Sequence, residues 1–203
     1  SQSATAKVAR NSSDGTVTAS LQHVKVIASG DVSVVAMDAT RLWATSSNFS
    51  ASAAQVSMDL GTFSAGNDVR RVVAASVTDA TLSAGSLGVL ALSRGSLTAT
   101  VHSPNVYSSG LSTPALGAFA GTVAWNQLLG STKALMDQGT LDVAGDIALG
   151  ATQTATLATV TGAGTPTTDT GGAKGGVALA FNAVGWNMGE IPKATFGGLL
   201  GAD

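Results

Sequence analysis

Hydrophobic and polar residues alternate along much of the chain. Val24, Val26 and Ala28 share one parity, Val32, Val34 and Ala36 form another such stretch, and Leu42 and Ala44 continue it. The same beat returns in Leu141 and Val143, then in Ile147, Leu149 and Ala151, then in Ala155 and Leu157. Side chains two apart lie on one face of a strand, so the pattern predicts short β-strands with an apolar inner face. The outer set is Ser, Thr and Asp, which suits a solvated β surface. Many inward positions are Ala, as expected of a narrow core between closely opposed strands.

The alternating stretches belong to a repeat. Ala-x-Asn occurs at Ala9-Arg10-Asn11, Ala65-Gly66-Asn67, Ala124-Trp125-Asn126 and Ala180-Phe181-Asn182, so the asparagines recur at nearly equal intervals. Ala19, Ala75 and Ala134 follow in step, then Leu21, Val77 and Met136. Further on, Ala36, Ala91 and Ala151 align, and so do Leu42, Leu97 and Leu157. A finer beat, close to a third of the longer interval, runs through Asn11, Gly30, Asn48, Asn67, Gly85, Asn105, Asn126, Gly145, Gly164 and Asn182. Gly and Asn adopt positive φ at least cost, which sharp corners often demand. Asn11, Asn67, Asn126, Asn182, Gly30, Gly85 and Gly145 are therefore expected at the repeat's structural corners.

Short strands joined by regular corners predict an all-β fold, a parallel β-solenoid (β-helix), right-handed by the general preference of crossover connections. The finer beat sets about 19 residues per coil and three coils per roughly 55–60 residue repeat. Ten or eleven such coils would make a rod of about 50 Å at the usual strand spacing. The alternative is a string of antiparallel β-sandwich repeats. The solenoid is expected over 1–187, with copies at 9–64, 65–123 and 124–179 and a partial copy at 180–187. Residues 188–203 carry Glu190 and Pro192 and read as a C-terminal cap or side extension. The Gly/Thr-rich stretch 162–176, with Pro166, reads as an exposed loop.

Composition narrows the choice. Only 11% of residues are charged and 44% are hydrophobic, which disfavours a disordered chain. Glu190 is the single Glu among 12 acidic residues, so a mainly helical chain is not expected. A net charge of −2 gives no basic footprint for nucleic acid. Without cysteine there is no disulfide framework and no thiolate metal site. No apolar run is long enough for a transmembrane helix, so no membrane span is expected. Ser1-Gln2-Ser3-Ala4 opens no basic and apolar leader, so no signal peptide is read there.

Candidate chemistry is sparse. His23 and His102 stand far apart in the chain and lack close ligand spacing, which makes them surface histidines. Trp125-Asn126 and Phe181-Asn182 offer the aromatic–amide pairing used for sugars, but recurrence in register favours amides that satisfy backbone groups. Asp31 and Asp146 follow turn glycines and read as turn-capping carboxylates. Calcium is conceivable there, yet no calcium-binding nonapeptide supports it. Lys174 lacks the Ser or Thr of a P-loop. Thr152, Thr154 and Thr156 form one exposed row, and Arg70 and Arg71 read as solvated. No catalytic residue, cofactor site or metal site is predicted, and the chain is not expected to be an enzyme.

The strings Val123-Ala124-Trp125-Asn126-Gln127-Leu128, Ala134-Leu135-Met136 and Leu141-Asp142-Val143-Ala144-Gly145-Asp146-Ile147-Ala148-Leu149 resemble repeats of giant bacterial adhesins and filamentous-haemagglutinin-like proteins. The resemblance implies a non-enzymatic, extracellular segment at a bacterial cell surface, acting as a stiff rod. Its partners would be copies stacked end to end or adjoining repeats of a longer chain, with a surface carbohydrate or protein receptor beyond. A phage tail fibre or capsid decoration protein is the alternative. A β-helical polysaccharide-degrading enzyme would need acids and bases gathered on one face.

Overall fold

The computed structural model describes residues 2–47, 58–102, 118–162 and 174–185, and all the regular structure among them is strand. Each of the first three turns of the chain contributes one strand to each of three sheets, and a fourth adds one described strand to the first of them. Sheet A holds β1 (Gln2–Gln22), β4 (Met58–Thr78), β7 (Ala118–Asp137) and β10 (Lys174–Val184). Sheet B holds the short β2 (Lys25–Ile27), β5 (Thr81–Ala84) and β8 (Thr140–Val143). Sheet C holds β3 (Asp31–Ser47), β6 (Ser86–His102) and β9 (Ile147–Gly162). Every strand pair among the described residues is parallel, so the fold is a parallel β-solenoid and not a string of antiparallel sandwiches.

The length of a coil corrects the expectation. Gln2 pairs with Met58 and Asp59 with Ala118, so the chain advances one strand spacing per whole repeat. A coil is therefore the entire repeat and not a third of it, and the finer beat counts positions around one lap. The physical reason lies in what has to stack. Asn11 sits beside Asn67, whereas Gly30 sits beside Gly85 at a different place on the perimeter. With four strands in sheet A, the stack rises only about 15 Å, not about 50 Å. Asn48, Asn105 and Gly164 of the finer beat, most of the expected loop at 162–176 and the expected cap at 188–203 lie outside the described residues.

The repeat alignment read from sequence coincides with the hydrogen-bond register. Ala19, Ala75 and Ala134 stack, as do Leu21, Val77 and Met136. Ala36, Ala91 and Ala151 stack in sheet C, followed by Leu42, Leu97 and Leu157. Identical or similar side chains recur at one register because each occupies the same slot between the same two walls.

Sheets A and C face one another, with β4 packed on both β3 and β6 and β7 on both β6 and β9. The inward face of β4 reads Phe63, Ala65, Asn67, Val69, Arg71, Val73, Ala75 and Val77. Its two polar members divide the core into three parts. Phe63 and Ala65 pack with Ala44, Ala99, Val101 and Ala124; Val69 packs with Leu97 and Leu128; Val73, Ala75 and Val77 pack with Val34, Val89 and the sheet B residue Leu82. Leu82, Leu87 and Leu97 are almost wholly buried, each contributing about 1.5–3 kcal/mol. On β10 the same parity opens to solvent, where Ala178, Ala180, Asn182 and Val184 are exposed. Among the described residues no helix is long and apolar enough to cross a membrane.

Candidate functional site

The asparagines of Ala-x-Asn form one continuous amide ladder. Asn11 Nδ2 donates to Asn67 Oδ1 at 3.0 Å, Asn67 Nδ2 to Asn126 Oδ1 at 2.8 Å, and Asn126 Nδ2 to Asn182 Oδ1 at 3.0 Å. The second hydrogen of each of these three amides reaches across the core to sheet C. Asn11 donates to Trp43 O at 2.6 Å, Asn67 to Thr98 O at 2.8 Å and Asn126 to Ala158 O at 2.7 Å. A carbonyl can only accept, so these cross-core bonds fix which amide atom faces which way. The ladder consequently has a direction, from Asn11 toward Asn182.

These residues are not corners. Each lies within a strand of sheet A, and none has positive φ. They are inward amides that satisfy each other and backbone carbonyls, and Asn67 and Asn126 are fully buried. Bonds between buried amides in a low-dielectric core are strong, and leaving one unmade is expensive.

Gly30, Gly85 and Gly145 do sit together, in the turn between sheets B and C. Gly85 N donates to Gly30 O at 2.8 Å and Gly145 N to Gly85 O at 2.7 Å. Their role is closeness and not positive φ, since none of the three adopts it. A Cβ at Gly145 would lie 2.8 Å from Gly85 O, while one at Gly30 would meet nothing within 4 Å. Positive φ appears at the other turn, between sheets A and B, where His23, Asp79 and Gln138 adopt 53°, 49° and 49°. All three are non-glycine, and Asp and His tolerate this region better than most side chains.

Arg71 is not solvated in the way its sequence neighbourhood suggests. It points inward with Val69 and Val73, and only Arg70 lies on the outer face. Arg71 Nη1 is 3.3 Å from Asp38 Oδ1, and its Nη2 donates to Ser13 Oγ at 3.1 Å. Thr40 Oγ1 donates to the other Asp38 oxygen at 2.9 Å. Gly15 and Gly130 flank Arg71 in the neighbouring coils and leave it room. That stacking of an inward Arg between two glycines is the signal by which sequence could have found it.

On the outer face of sheet A, the Trp125 indole lies across Gly66 and under the Arg10 guanidinium, 5.5 Å from the ring centroid. Asp68 beside it pairs with both Arg10 and Arg70 at 3.4 Å. Trp125 is thus outward while Asn126 is inward, so the aromatic–amide pair does not share a face. Phe181 and Asn182 divide in the same way.

The remaining candidates stay apart. His23 is exposed and 3.3 Å from the exposed Asp79 carboxylate, while His102 ends β6 in sheet C. Asp31 accepts from Ser86 Oγ at 2.6 Å, linking the turn of one coil to the next. Thr152, Thr154 and Thr156 are exposed on the outer face of β9. Among the described residues no three His, Cys, Asp or Glu are grouped to hold a metal ion.

No family model, curated protein or solved structure matches the chain.

Proposed function

We propose that this chain is a non-enzymatic structural segment of an extracellular bacterial rod, an adhesin stalk or filament, whose work is mechanical. The observation that carries the reading is the amide ladder threading all four strands of sheet A. It ties each coil to the next from inside the core, in addition to the backbone ladders of three parallel sheets. Repeats that contact only their neighbours gain stability by adding layers, and open strand edges pair with more of the same. Small inward side chains keep the walls close, which favours stiffness over the enclosure of a ligand. The adhesin assignment itself rests on the resemblance of the repeat strings.

Two measurements test this. Negative-stain electron microscopy of the purified chain is expected to show rods longer than one molecule along the stacking axis. Protease shaving of intact source cells is expected to release the segment. Particles that remain single and compact, together with a protected intracellular pool, would overturn the proposal.

A further inference from the structure

The outer face of sheet C has an unbalanced charge. Odd-numbered residues of β3 and even-numbered residues of β6 and β9 point outward there. From Ser33 on, those outward positions include Arg41 and Arg94 and, among the described residues, no Asp or Glu. Both arginines are exposed. Arg10, Arg70 and Arg71 each pair with a carboxylate, whereas among the described residues Arg41 and Arg94 have no ion pair and no side-chain hydrogen bond. Arg41 stands in register with Ser96 and Arg94 with Ala39, so the two are diagonal neighbours, about 8 Å apart. β6 is the middle strand of its sheet, so the exposure of Arg94 belongs to the face and not to an edge.

Trp43 follows Arg41 on the same face, about 7 Å further along the strand, and is 66% exposed. Thr98 and Ala158 continue its row across β6 and β9, and neither side chain is as tall as the indole. The amide ladder holds this row from beneath, because Trp43 O, Thr98 O and Ala158 O accept from Asn11, Asn67 and Asn126. The backbone under the indole is thus fixed before any ligand arrives, which lowers the cost of binding. Thr45, Ser96 and Thr100 add hydroxyls around it. We infer that the outer face of sheet C binds an acidic polysaccharide, a chain of uronate sugars, with one ring on Trp43 and carboxylates on Arg41 and Arg94. The electron-rich face of an indole suits the C–H face of a pyranose ring. Thr and Ser hydroxyls both donate to and accept from sugar hydroxyls, and a guanidinium takes a carboxylate through two parallel bonds. A lipid surface fits less well, since it favours apolar residues beside the indole. Met37, the nearest exposed large apolar residue of β3 on this face, is about 20 Å away along the strand. The inference goes beyond the mechanical reading and does not depend on it, because this face is the same whether or not rods form.

The test titrates the full chain by calorimetry with linear oligomers of galacturonate, glucuronate and mannuronate. At least one is expected to bind, more weakly as salt is raised, and its methyl ester, which keeps the rings and loses the charge, is expected to bind far less. Trp43→Ala is expected to weaken binding more than about tenfold, and Arg41→Gln and Arg94→Gln about three- to fivefold each. All three side chains are exposed, so the melting temperature is expected to stay unchanged and shows that each variant is folded. Vesicles containing phosphatidylserine are expected to bind weakly and without regard to Trp43. The inference is overturned if none of the three oligomers binds, or if the ester binds as well as the acid. It is equally overturned if the folded variants bind like wild type, or if vesicles bind more tightly than the oligomers and lose that binding in Trp43→Ala. None of these results bears on rod formation, which electron microscopy reads separately.

Discussion

Asn67 Nδ2 donates to Asn126 Oδ1 at 2.8 Å, between two side chains with no exposed surface. This bond joins distant parts of the chain through the core, where water cannot replace it. The coils are therefore held together by side chains as well as by backbone.

Asn67→Ala leaves Asn11 Nδ2, Asn126 Oδ1 and Thr98 O without their partner. The expected cost is about 3 kcal/mol, lowering the melting temperature by roughly 6–12 °C in a chain of this size. Asn11→Ala, at the half-exposed end, is expected to cost about 1 kcal/mol. Thermal unfolding followed by circular dichroism compares the two, and equal losses would remove the ladder from the account.

The turn glycines separate space from conformation. Gly145→Ala drives a Cβ toward Gly85 O at 2.8 Å and is expected to cost about 1–3 kcal/mol. Gly30→Ala meets open space at an ordinary φ and is expected to be neutral or slightly stabilising. Urea midpoints for the two variants decide this, and the order must not reverse.

Asp38 and Arg71 lie inside the solenoid with side chains 9% and 26% exposed. Asp38→Leu alone strands the guanidinium and is expected to cost about 3 kcal/mol. The double change Asp38→Leu with Arg71→Met is expected to recover most of that loss, because two apolar side chains need no partner. A denaturation double-mutant cycle measures the coupling, and additive losses would mean that the pair is solvated.

Gly66→Ala places a Cβ 2.0 Å from the Trp125 indole and is expected to lift it from the sheet and from Arg10. Trp125 emission should shift to the red, with a stability loss of about 1–3 kcal/mol. In a Trp125→Ala background the same change should be nearly silent, which equilibrium unfolding of the four chains in the cycle checks.

Much of the fold was legible because the solenoid repeats its environment. Ala36, Ala91 and Ala151 could be aligned by eye since each fills the same narrow slot, and that alignment proved to be the pairing register. The coil length was not legible. Asn11 and Gly30 both begin a beat of similar length, and nothing local says that one is an inward amide in a strand and the other a tight turn. Arg71 was hidden for a related reason, because a charged residue beside Arg70 reads as surface until its neighbours at Gly15 and Gly130 are known.

Strands, their inward parity and the equivalence of residues from copy to copy were all written in the chain, because alternation and repetition are properties of position along it. How far the backbone travels before it meets itself was settled in three dimensions. That distance depends on which side chains can bond across a gap in space. Amides satisfied one another only when whole repeats, and not thirds of them, were laid side by side.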